Sequence, residues 1–248
     1  MTGVGVAAAL VIVAILVSRR GRLALERDVA VSAVRAAVQL AVVGALVALV
    51  FDHAGLAVAF LAVMFSVATV TAARRLAGVP RAVVCAGAAI AAGTLTALVP
   101  LLATGAFSTR PRELIPVAGI LIGGAMAAAG VTGRRLAGAV EEGMAGIEAR
   151  LALGAGVRDA IAPLVRDAAT TGLIPVLDQT KNVGLVTLPG TFVGLILGGA
   201  SPAEAARVQL TVLLALIAVQ IVAALVVSRL VTAALTLPGE RVGGPERR

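Results

Sequence analysis

The chain has 248 residues, of which 60% are hydrophobic and only 14% are charged, and its mean hydropathy is +1.05. A soluble domain of this length needs more polar surface, so the composition excludes one and predicts a multi-pass membrane protein. The net charge of +8 does not indicate nucleic-acid binding, because the basic residues lie between apolar runs and no Trp or Tyr is present for base stacking. A single Cys, Cys85, and a single His, His53, exclude a disulfide framework and a Cys/His metal cluster.

Seven apolar segments predict an all-α bundle of about seven transmembrane helices, which forms a single transmembrane domain over residues 1–248. A hydrocarbon core about 30 Å thick is crossed by about 20 helical residues. The C-terminal tail, residues 229–248, is predicted to be loose. The seven predicted spans are residues 3–17, 29–51, 55–71, 82–103, 115–131, 172–201 and 205–228.

The basic residues predict the orientation of the bundle. The first apolar run is followed, not preceded, by the arginines of residues 19–22, which indicates an uncleaved span with its N-terminus outside. With seven spans, 17 of the 21 basic residues then lie on the inner side, Arg110, Arg112 and Arg207 lie outside, and the C-terminus is cytoplasmic. The 17 are Arg19, Arg20, Arg22, Arg27, Arg35, Arg74, Arg75, Arg81, Arg134, Arg135, Arg150, Arg158, Arg166, Arg229, Arg241, Arg247 and Arg248.

Polar side chains inside the predicted spans are candidates for a transport path, since such residues are costly in hydrocarbon. Arg35 and Gln39 share one face of the second span at i, i+4, and Gln209 lies in the seventh. An alternative for Arg35, and to a lesser degree for Gln39, is that the side chain extends to the cytoplasmic surface.

Residues 134–171 form the only sizeable polar segment and are predicted to be a cytoplasmic helix–turn–helix between spans five and six. An apolar stripe at helical spacing indicates an amphipathic helix, broken by Gly154-Ala155-Gly156 and followed by a second helix from residue 157. Such a stripe is suited to docking in a groove of a partner protein, and equally to lying on the lipid surface. The stripe residues are Leu136, Val140, Met144, Ile147 and Leu151.

The sixth predicted span, residues 172–201, combines polar chemistry with a break. Asp178, Lys181 and Asn182 lie near its predicted cytoplasmic end, where Asp178 and Lys181 at i, i+3 form either part of the transport path or a structural ion pair. Pro189-Gly190 interrupts the segment, as a hinge or as a static kink. Beyond the break, small residues at four-residue spacing predict a face for close helix packing, namely Gly190, Gly194 and Gly198.

No nucleotide-binding or hydrolytic motif is present in the sequence. The pattern G-x-x-x-x-G-K-S/T does not occur, because the only Lys, Lys181, is followed by Asn182. With one His, no Ser/His/Asp set or zincin helix can be assembled. We therefore expect a protein that is not an enzyme, binds no cofactor itself and, if driven by ATP, depends on a separate subunit.

Several stretches resemble the FetB-like family of ABC transporter permeases, which are bacterial membrane subunits linked to iron export with plant relatives linked to aluminium tolerance. The resemblance runs from about residue 23 to residue 209, and its most specific part is DQTKNVGLVTLPG, residues 178–190. The other stretches are LALERD, AVRAAVQLAVVG, IPVAGILIGGAMAAAG, ARLALGA, LVRDA and GLILGGASPAEAARVQ.

The resemblance implies the permease subunit of an ABC transporter in a bacterial inner membrane, exporting iron or another metal-related solute. It implies an ABC ATPase subunit that binds the ATP, and a homodimer of permease subunits in the lipid bilayer. The stretch EARLALGA also resembles the loop by which ABC permeases insert a coupling helix into their ATPase. The residues assigned to ATPase coupling are Glu148, Leu153, Gly154, Ala155, Arg166 and Asp167.

Two positions depart from the family pattern, which has an Asn where this chain has Gly124 and a Met pair where it has Thr191-Phe192. If those side chains contact the solute, the cargo here differs from iron, and the residues that would bind a metal are not identified. The alternative hypothesis is an ATP-independent secondary transporter or a membrane scaffold. A secondary transporter often contains inverted repeats, and none is evident in the sequence.

Overall fold

The computed structural model describes residues 2–237 and 241–243, and within them the chain is almost entirely helical. The all-α prediction is confirmed, apart from two antiparallel strands of two residues each. The elements are α1 (Thr2–Arg20), α2 (Glu26–Asp52), α3 (Ala54–Arg75), α4 (Ala82–Ala103), α5 (Pro111–Glu142), α6 (Met144–Ala152), α7 (Val157–Asn182), α8 (Gly190–Leu197), α9 (Pro202–Leu235), β1 (Thr236–Leu237) and β2 (Arg241–Val242).

Seven of these helices are long and apolar enough to cross a membrane, which confirms the predicted number. They are α1, α2, α3, α4, α5, α7 and α9. The fourth span has the predicted bounds of Ala82–Ala103, while α5 and α9 continue well past the predicted ends of spans five and seven. The sixth span is different: its helix is Val157–Asn182 and not residues 172–201.

The chain divides into two compact units, Met1–Leu56 and Ala57–Arg248, so the single domain expected over residues 1–248 stays a prediction. In the first unit α1 packs on α2. Their connection is held by Ser18, whose hydroxyl oxygen accepts a hydrogen bond from the Leu25 amide at 3.3 Å and whose hydroxyl donates to Glu26 Oε1 at 3.5 Å. Most large apolar side chains of these two helices are exposed, as expected for surfaces that meet lipid.

In the second unit α4, α5, α7 and α9 pack around a core of small side chains. Gly93 of α4 lies so close to α9 that a Cβ atom there would meet the Val219 carbonyl oxygen at 2.7 Å. Gly172 of α7 similarly faces Thr132 of α5, whose Oγ1 occupies the space of a Cβ atom. Small residues at these crossings bring the helix backbones together, so that dispersion contacts rather than large side chains hold the bundle.

The apolar stripe of the polar segment is buried inside the second unit. Leu136 and Val140 belong to α5, which continues to Glu142, while Ile147 belongs to α6, and all three side chains are at most 1% exposed. They pack in the same core as Val157 and Ile161 of α7. The predicted helix–turn–helix is therefore present as α6, a turn and α7, but its stripe is already covered and cannot also fill a groove on a partner.

The C-terminal segment differs from the predicted loose tail over its first part. Helix α9 continues through Arg229 to Leu235, and Val231 and Leu235 are buried. Strands β1 and β2 then pair, with Thr236 opposite Val242. Residues 238–240 and 244–248 lie outside the described part of the chain, so the prediction for them is untested.

Candidate functional site

The polar residues of the predicted sixth span lie at the C-terminal end of α7. Lys181 Nζ is 4.0 Å from Asp178 Oδ1, and the two side chains are 73% and 59% exposed, respectively. The ion pair expected at i, i+3 is thus present but solvent-accessible, and exposed pairs of this kind contribute about 1 kcal/mol or less to stability. The ion pair therefore adds little to the stability of the fold.

The helix α7 ends in a tight turn immediately after Asn182. The Asn182 carbonyl oxygen accepts hydrogen bonds from the amides of Val186, at 3.0 Å, and Thr187, at 3.3 Å. The Gly184 amide donates to the Thr187 carbonyl oxygen at 2.8 Å, and Gly184 has a φ of +82°, which a residue with a Cβ atom adopts at a cost. Most of the motif DQTKNVGLVTLPG therefore encodes a helix end and a closed turn.

After this turn the chain forms the short helix α8, and the predicted break at Pro189-Gly190 lies at the start of that helix. Pro189 is the residue before α8, with an extended backbone, and Gly190 is its first residue. They lie where the helix resumes after a non-helical stretch at 183–189, so the segment 172–201 is interrupted as expected but over more residues than Pro189 and Gly190 alone. At eight residues α8 is about 12 Å long, too short to cross a membrane by itself. The hinge predicted at Pro189-Gly190 stays a prediction.

The glycine face predicted for helix packing is open within the second unit. A Cβ atom added to Gly190 or Gly194 would meet nothing within 4 Å, and at Gly198 it would meet only carbonyl oxygens of α8 itself. No other helix in the described part of the chain packs closely on these glycines. The packing role predicted for these glycines is not found among the described residues of the second unit, and packing on another protein stays a prediction.

Gln209 is the buried polar residue of this region. Helix α9 begins at Ser201-Pro202, where the Ser201 hydroxyl oxygen caps the helix by accepting a hydrogen bond from the Glu204 amide at 3.2 Å. Two turns further along, Gln209 is only 7% exposed, and its Oε1 atom receives no hydrogen bond from the described residues. A buried acceptor without a donor is unfavourable by about 1–3 kcal/mol, so this position calls for an explanation.

A cavity of about 300 Å³ lies between the 183–192 segment and the start of α9, and Gln209 lines it. The 183–192 segment contributes Val183, Leu188 and Phe192 among others, while α9 contributes Leu213, one turn after Gln209. The residues lining the cavity carry no charged side chain. Leu213 could have been found from the sequence because it follows Gln209 at i+4, whereas Phe192 is brought there by the turn.

The structure brings only some of the predicted transport-path residues together. Gln209 shares the cavity with Val183, the residue after Asn182, so the end of α7 and the start of α9 meet there. Arg35 and Gln39 are exposed on α2, which belongs to the first unit. A transport path that contains both these residues and Asp178 would join two separate units, so it stays a prediction.

Four of the six residues predicted to couple to an ATPase lie in α6 or in the turn that follows it. Leu153 is 88% exposed, Glu148 is exposed on α6, and Gly154 has a φ of +89°. The turn, which also contains Ala155, is held to the bundle by Arg150, whose Nη1 donates a hydrogen bond to the Ala160 carbonyl oxygen at 2.8 Å. The turn therefore carries the exposed apolar side chain of Leu153 next to a helix end that is fixed by a hydrogen bond.

Helix α7 separates two groups of residues that the sequence analysis placed on the same side. Arg166 and Asp167 lie on α7 about 14 Å from its first residue, at 1.5 Å per residue. Asp178 lies about 32 Å from that residue, which is more than the thickness of the hydrocarbon core. If the whole of α7 crosses the membrane, Asp178 and Lys181 lie on the side opposite the 153–156 turn, and Arg166 and Asp167 lie within the hydrocarbon. The predicted position of Asp178 and Lys181 at the cytoplasmic end stays a prediction.

Among the described residues, no three His, Cys, Asp or Glu side chains come together as a group that could hold a metal ion. Phe192, which belongs to one of the two departures from the family pattern, lines the cavity. The other departure, Gly124, lies where a Cβ atom would meet Leu216 Cδ2 at 2.6 Å and Gln220 Nε2 at 3.3 Å. Gln220 follows Gln209 by three turns of α9, so both departures lie beside amide-bearing positions of that helix.

Comparison with known proteins places the chain in a family. The model of the uncharacterised protein family UPF0014 matches residues 1–235. Protein ALUMINUM SENSITIVE 3 of Arabidopsis thaliana is 40% identical over 211 residues, covering 84% of this chain and 77% of its own length. UPF0014 membrane protein STAR2 of Oryza sativa subsp. japonica is 41% identical over 209 residues, covering 84% of this chain and 73% of its own length. No solved structure matches.

A bacterial relative connects the family to transport. The protein named "Probable iron export permease protein FetB" of Escherichia coli strain K12 is 37% identical over 205 residues, which cover 82% of this chain and 79% of its own length. The resemblance noted from the sequence is therefore confirmed, and it includes both the bacterial protein and the plant relatives. With seven candidate spans and a family match over 1–235, the chain is a multi-pass membrane protein that belongs to the UPF0014 family.

Proposed function

We propose that this chain is the permease subunit of an ABC transporter that exports iron or another metal-related solute. The observation that carries the proposal is the 37% identity to the protein named as a probable iron export permease, which covers 82% of this chain. The membrane is then a bacterial inner membrane and the chain works as a homodimer. The ATP binds to a separate ATPase subunit, since the chain has no phosphate-binding loop of its own.

The 153–156 turn is the proposed contact with the ATPase. Leu153 is nearly fully exposed at the tip of the turn, and Arg150 fixes α6 to α7 beneath it. Glu148 adds a charge beside it that could pair with a partner's basic residue. Arg166 and Asp167 lie about 14 Å along α7, within the hydrocarbon if that helix crosses the membrane, so the proposed contact does not include them.

Asp178 is the proposed polar contact for the solute at the opposite end of α7. Its carboxylate is 59% exposed and held only by an exposed ion pair with Lys181, so a hard cation can approach it. One carboxylate does not make a metal site, and we therefore assign Asp178 to the path of the solute and not to stable binding.

The test of the proposal is co-purification of the chain with an ABC ATPase subunit co-expressed from the same genome, with Leu153→Asp as the variant. An Asp at the tip would place a charge where an apolar side chain enters the partner, and burying an unpaired charge is strongly unfavourable. We expect the ATPase recovered per permease to fall by tenfold or more. ATP-dependent uptake of the metal into inverted vesicles should be lost in parallel.

Leu185→Asp is the matched control. Leu185 is an equally exposed leucine, at 91%, in the turn at the other end of α7. Its substitution should leave ATPase recovery unchanged, because that turn lies on the opposite side of the membrane from the proposed contact. Normal recovery with Leu153→Asp, or equal loss with both variants, would contradict the assignment of the turn, and solute export by the purified chain alone in liposomes would contradict the ABC mechanism.

A further inference from the structure

The end of α3 rests on two buried glycines of α5. A Cβ atom at Gly130 would lie 2.8 Å from Arg75 Cδ and 3.2 Å from Arg75 Nη1, and one at Gly133 would lie 3.1 Å from Cγ of Leu76. The side chain of Arg75 therefore lies against the backbone of α5, in space that a larger residue at 130 would occupy. Its guanidinium group is held between the two helices and does not extend freely from the end of α3.

A second arginine lies one turn further along α5. Arg134 follows Gly130 at i+4, so the two residues share one face of the helix. Because the Cα–Cβ bonds of a helix tilt toward its N-terminus, the side chain of Arg134 leans back toward the turn on which Arg75 lies. The two guanidinium groups of this arginine pair, Arg75 and Arg134, thus approach the same part of the groove between α3 and α5.

The charges of the arginine pair are not neutralised by the described residues. Neither Arg75 nor Arg134 forms an ion pair or a hydrogen bond with another residue in the described part of the chain. Arg134 is exposed, and Arg75 is half-buried but has no nitrogen atom sealed from solvent without a partner. Each guanidinium group carries five donors in a planar fork that fits the oxygens of a carboxylate or phosphate. An anion between them would bind to both and relieve their mutual repulsion.

The position of the arginine pair along the bundle indicates the source of the anion. Helix α3 has 22 residues and is about 33 Å long, which matches a hydrocarbon core about 30 Å thick. Its last residue, Arg75, therefore lies at the level of the lipid headgroups, on the side that the charge bias predicts to be cytoplasmic. Arg134 lies close to that level, since α3 ends against the preceding turn of α5.

The surface next to the arginine pair is apolar, which favours a lipid over a free anion. Val67 and Val70 are exposed on α3 within the three turns before Arg75. Val83 and Val84 are exposed in the first turn of α4. These side chains meet hydrocarbon where α3 and α4 cross the membrane. An anion with acyl chains contacts both the arginines and this surface, whereas a free phosphate or an acidic protein segment contacts only the arginines.

We propose that the groove between the end of α3 and the neighbouring turn of α5 binds the phosphate headgroup of an anionic membrane lipid. Arg75 and Arg134 donate hydrogen bonds to the phosphate oxygens, and the acyl chains follow the apolar surface of α3. This inference goes beyond the proposed function and does not rest on it. The headgroup would join α3 to α5 at an end where their contact otherwise consists of side chains that rest on glycines.

The experiment uses the full chain, purified in a neutral detergent without any ATPase, and measures bound lipid by native mass spectrometry. The probes are dioleoyl phosphatidylglycerol, which is anionic, and dioleoyl phosphatidylcholine, which has the same acyl chains and no net charge. A basic residue close to anionic lipid contributes about fivefold in affinity, so two should make phosphatidylglycerol bind about 25-fold more tightly than phosphatidylcholine. Equal affinities for the two lipids would overturn the proposal.

Two variants and a control test whether the arginine pair forms the site. Arg75→Gln and Arg134→Gln should each weaken the binding of phosphatidylglycerol by about fivefold. Arg158→Gln removes the same charge from an exposed position at the start of α7 and should leave that binding unchanged. The melting temperature without lipid, which should stay near the native value in all three, shows that the variants are folded. Unchanged binding in the first two variants, or equal loss in all three, would overturn the proposal.

Inorganic phosphate distinguishes a lipid site from a general anion site. Because a ligand that binds only the folded state stabilises it, phosphatidylglycerol should raise the melting temperature of the native protein and of Arg158→Gln, and that of Arg75→Gln by much less. Millimolar inorganic phosphate should neither raise it nor displace the lipid. Stabilisation by inorganic phosphate equal to that by the lipid would overturn the assignment to a lipid. Since no ATPase is present, these failures would leave the co-purification test of the proposed function unaffected.

Discussion

At the scale of single residues, the contact between Gly172 and Thr132 shows how closely α5 and α7 approach each other. The Thr132 Oγ1 atom fills the position that a Cβ atom of residue 172 would take, and both residues are buried. That oxygen has no hydrogen-bond partner among the described residues, so it contributes shape and not polar bonding. Any side chain larger than hydrogen at residue 172 therefore has to push the two helices apart.

We expect Gly172→Val to destabilise the protein by about 1–3 kcal/mol, the usual effect of overpacking a core. In a chain of this length this corresponds to a melting temperature lower by about 5 °C, measured on the purified protein in detergent. Gly146→Ala is the control, because a Cβ atom at residue 146 of α6 meets nothing within 4 Å and Ala favours the helix. A melting temperature that is unchanged in Gly172→Val would mean that the two helices are not packed as described.

At the scale of elements, α6 is held in place by one bond that spans the turn. Arg150 Nη1 donates to the Ala160 carbonyl oxygen at 2.8 Å, ten residues further along the chain, and Ile147 is the buried side chain beneath it. A nine-residue helix is only marginally stable by itself, so this bond and that contact fix the orientation of α6.

We expect Arg150→Met to loosen α6 without unfolding the bundle, since Met keeps much of the apolar stem but loses the charged donor. Removing a hydrogen bond from a charged group costs about 1.5–3 kcal/mol, and less where water can replace the donor. We therefore expect amide hydrogen exchange in residues 144–153 to become about tenfold faster. The melting temperature should change little.

Arg158→Met removes the same kind of charge from the first turn of α7, where Arg158 is exposed. It should leave exchange in residues 144–153 as in the native protein. Equal acceleration in both variants would indicate that net charge, and not the bond to Ala160, controls the order of α6.

The elements also show which parts of the fold the sequence predicts. Hydropathy predicts spans one to five and seven at about their positions in the structure, because each is an apolar run with charged residues on at least one side. It fails for the sixth because the apolar residues at 183–188 look like a continuing span, although the turn at Gly184 ends the helix there. The polar stretch before them, with Pro163 and Pro175 inside it, looks like a boundary, yet the helix runs through both prolines.

The sequence predicts the candidate site less well than the spans, because the site depends on contacts between separate segments of the chain. Gln209 was identified because an amide in an apolar segment is unusual, and its burial agrees with that reasoning. The cavity around it depends on a tertiary contact between the 183–192 segment and α9, which no periodicity encodes. The apolar stripe at residues 136–151 is compatible with a partner's groove and with the lipid surface, because an amphipathic pattern does not say which surface covers it. In the structure the bundle itself buries Leu136, Val140 and Ile147.

At the scale of the whole molecule, the continuity of α7 changes the arrangement of the loops. The loop between α4 and α5 and the turn after α7 lie on one side of the membrane if α5 and α7 each cross it once, and the 153–156 turn lies on the other. The charge bias predicts that the 153–156 side is cytoplasmic. Lys181 then joins the three arginines on the outer side, which leaves the bias toward the inner side strong.

This topology can be tested by cysteine labelling, because Cys85 is the only cysteine and is buried. In a Cys85→Ala background, Thr109→Cys, Leu153→Cys and Leu185→Cys each introduce a single exposed thiol. A membrane-impermeant maleimide should label positions 109 and 185 in intact cells, and position 153 only after the membrane is permeabilised. Labelling of 153 and 185 from the same side would mean that α7 does not cross the membrane. The reverse pattern, with only 153 labelled in intact cells, would show that the charge bias assigns the orientation wrongly, and the ATPase contact would then have to be sought at the other end of α7.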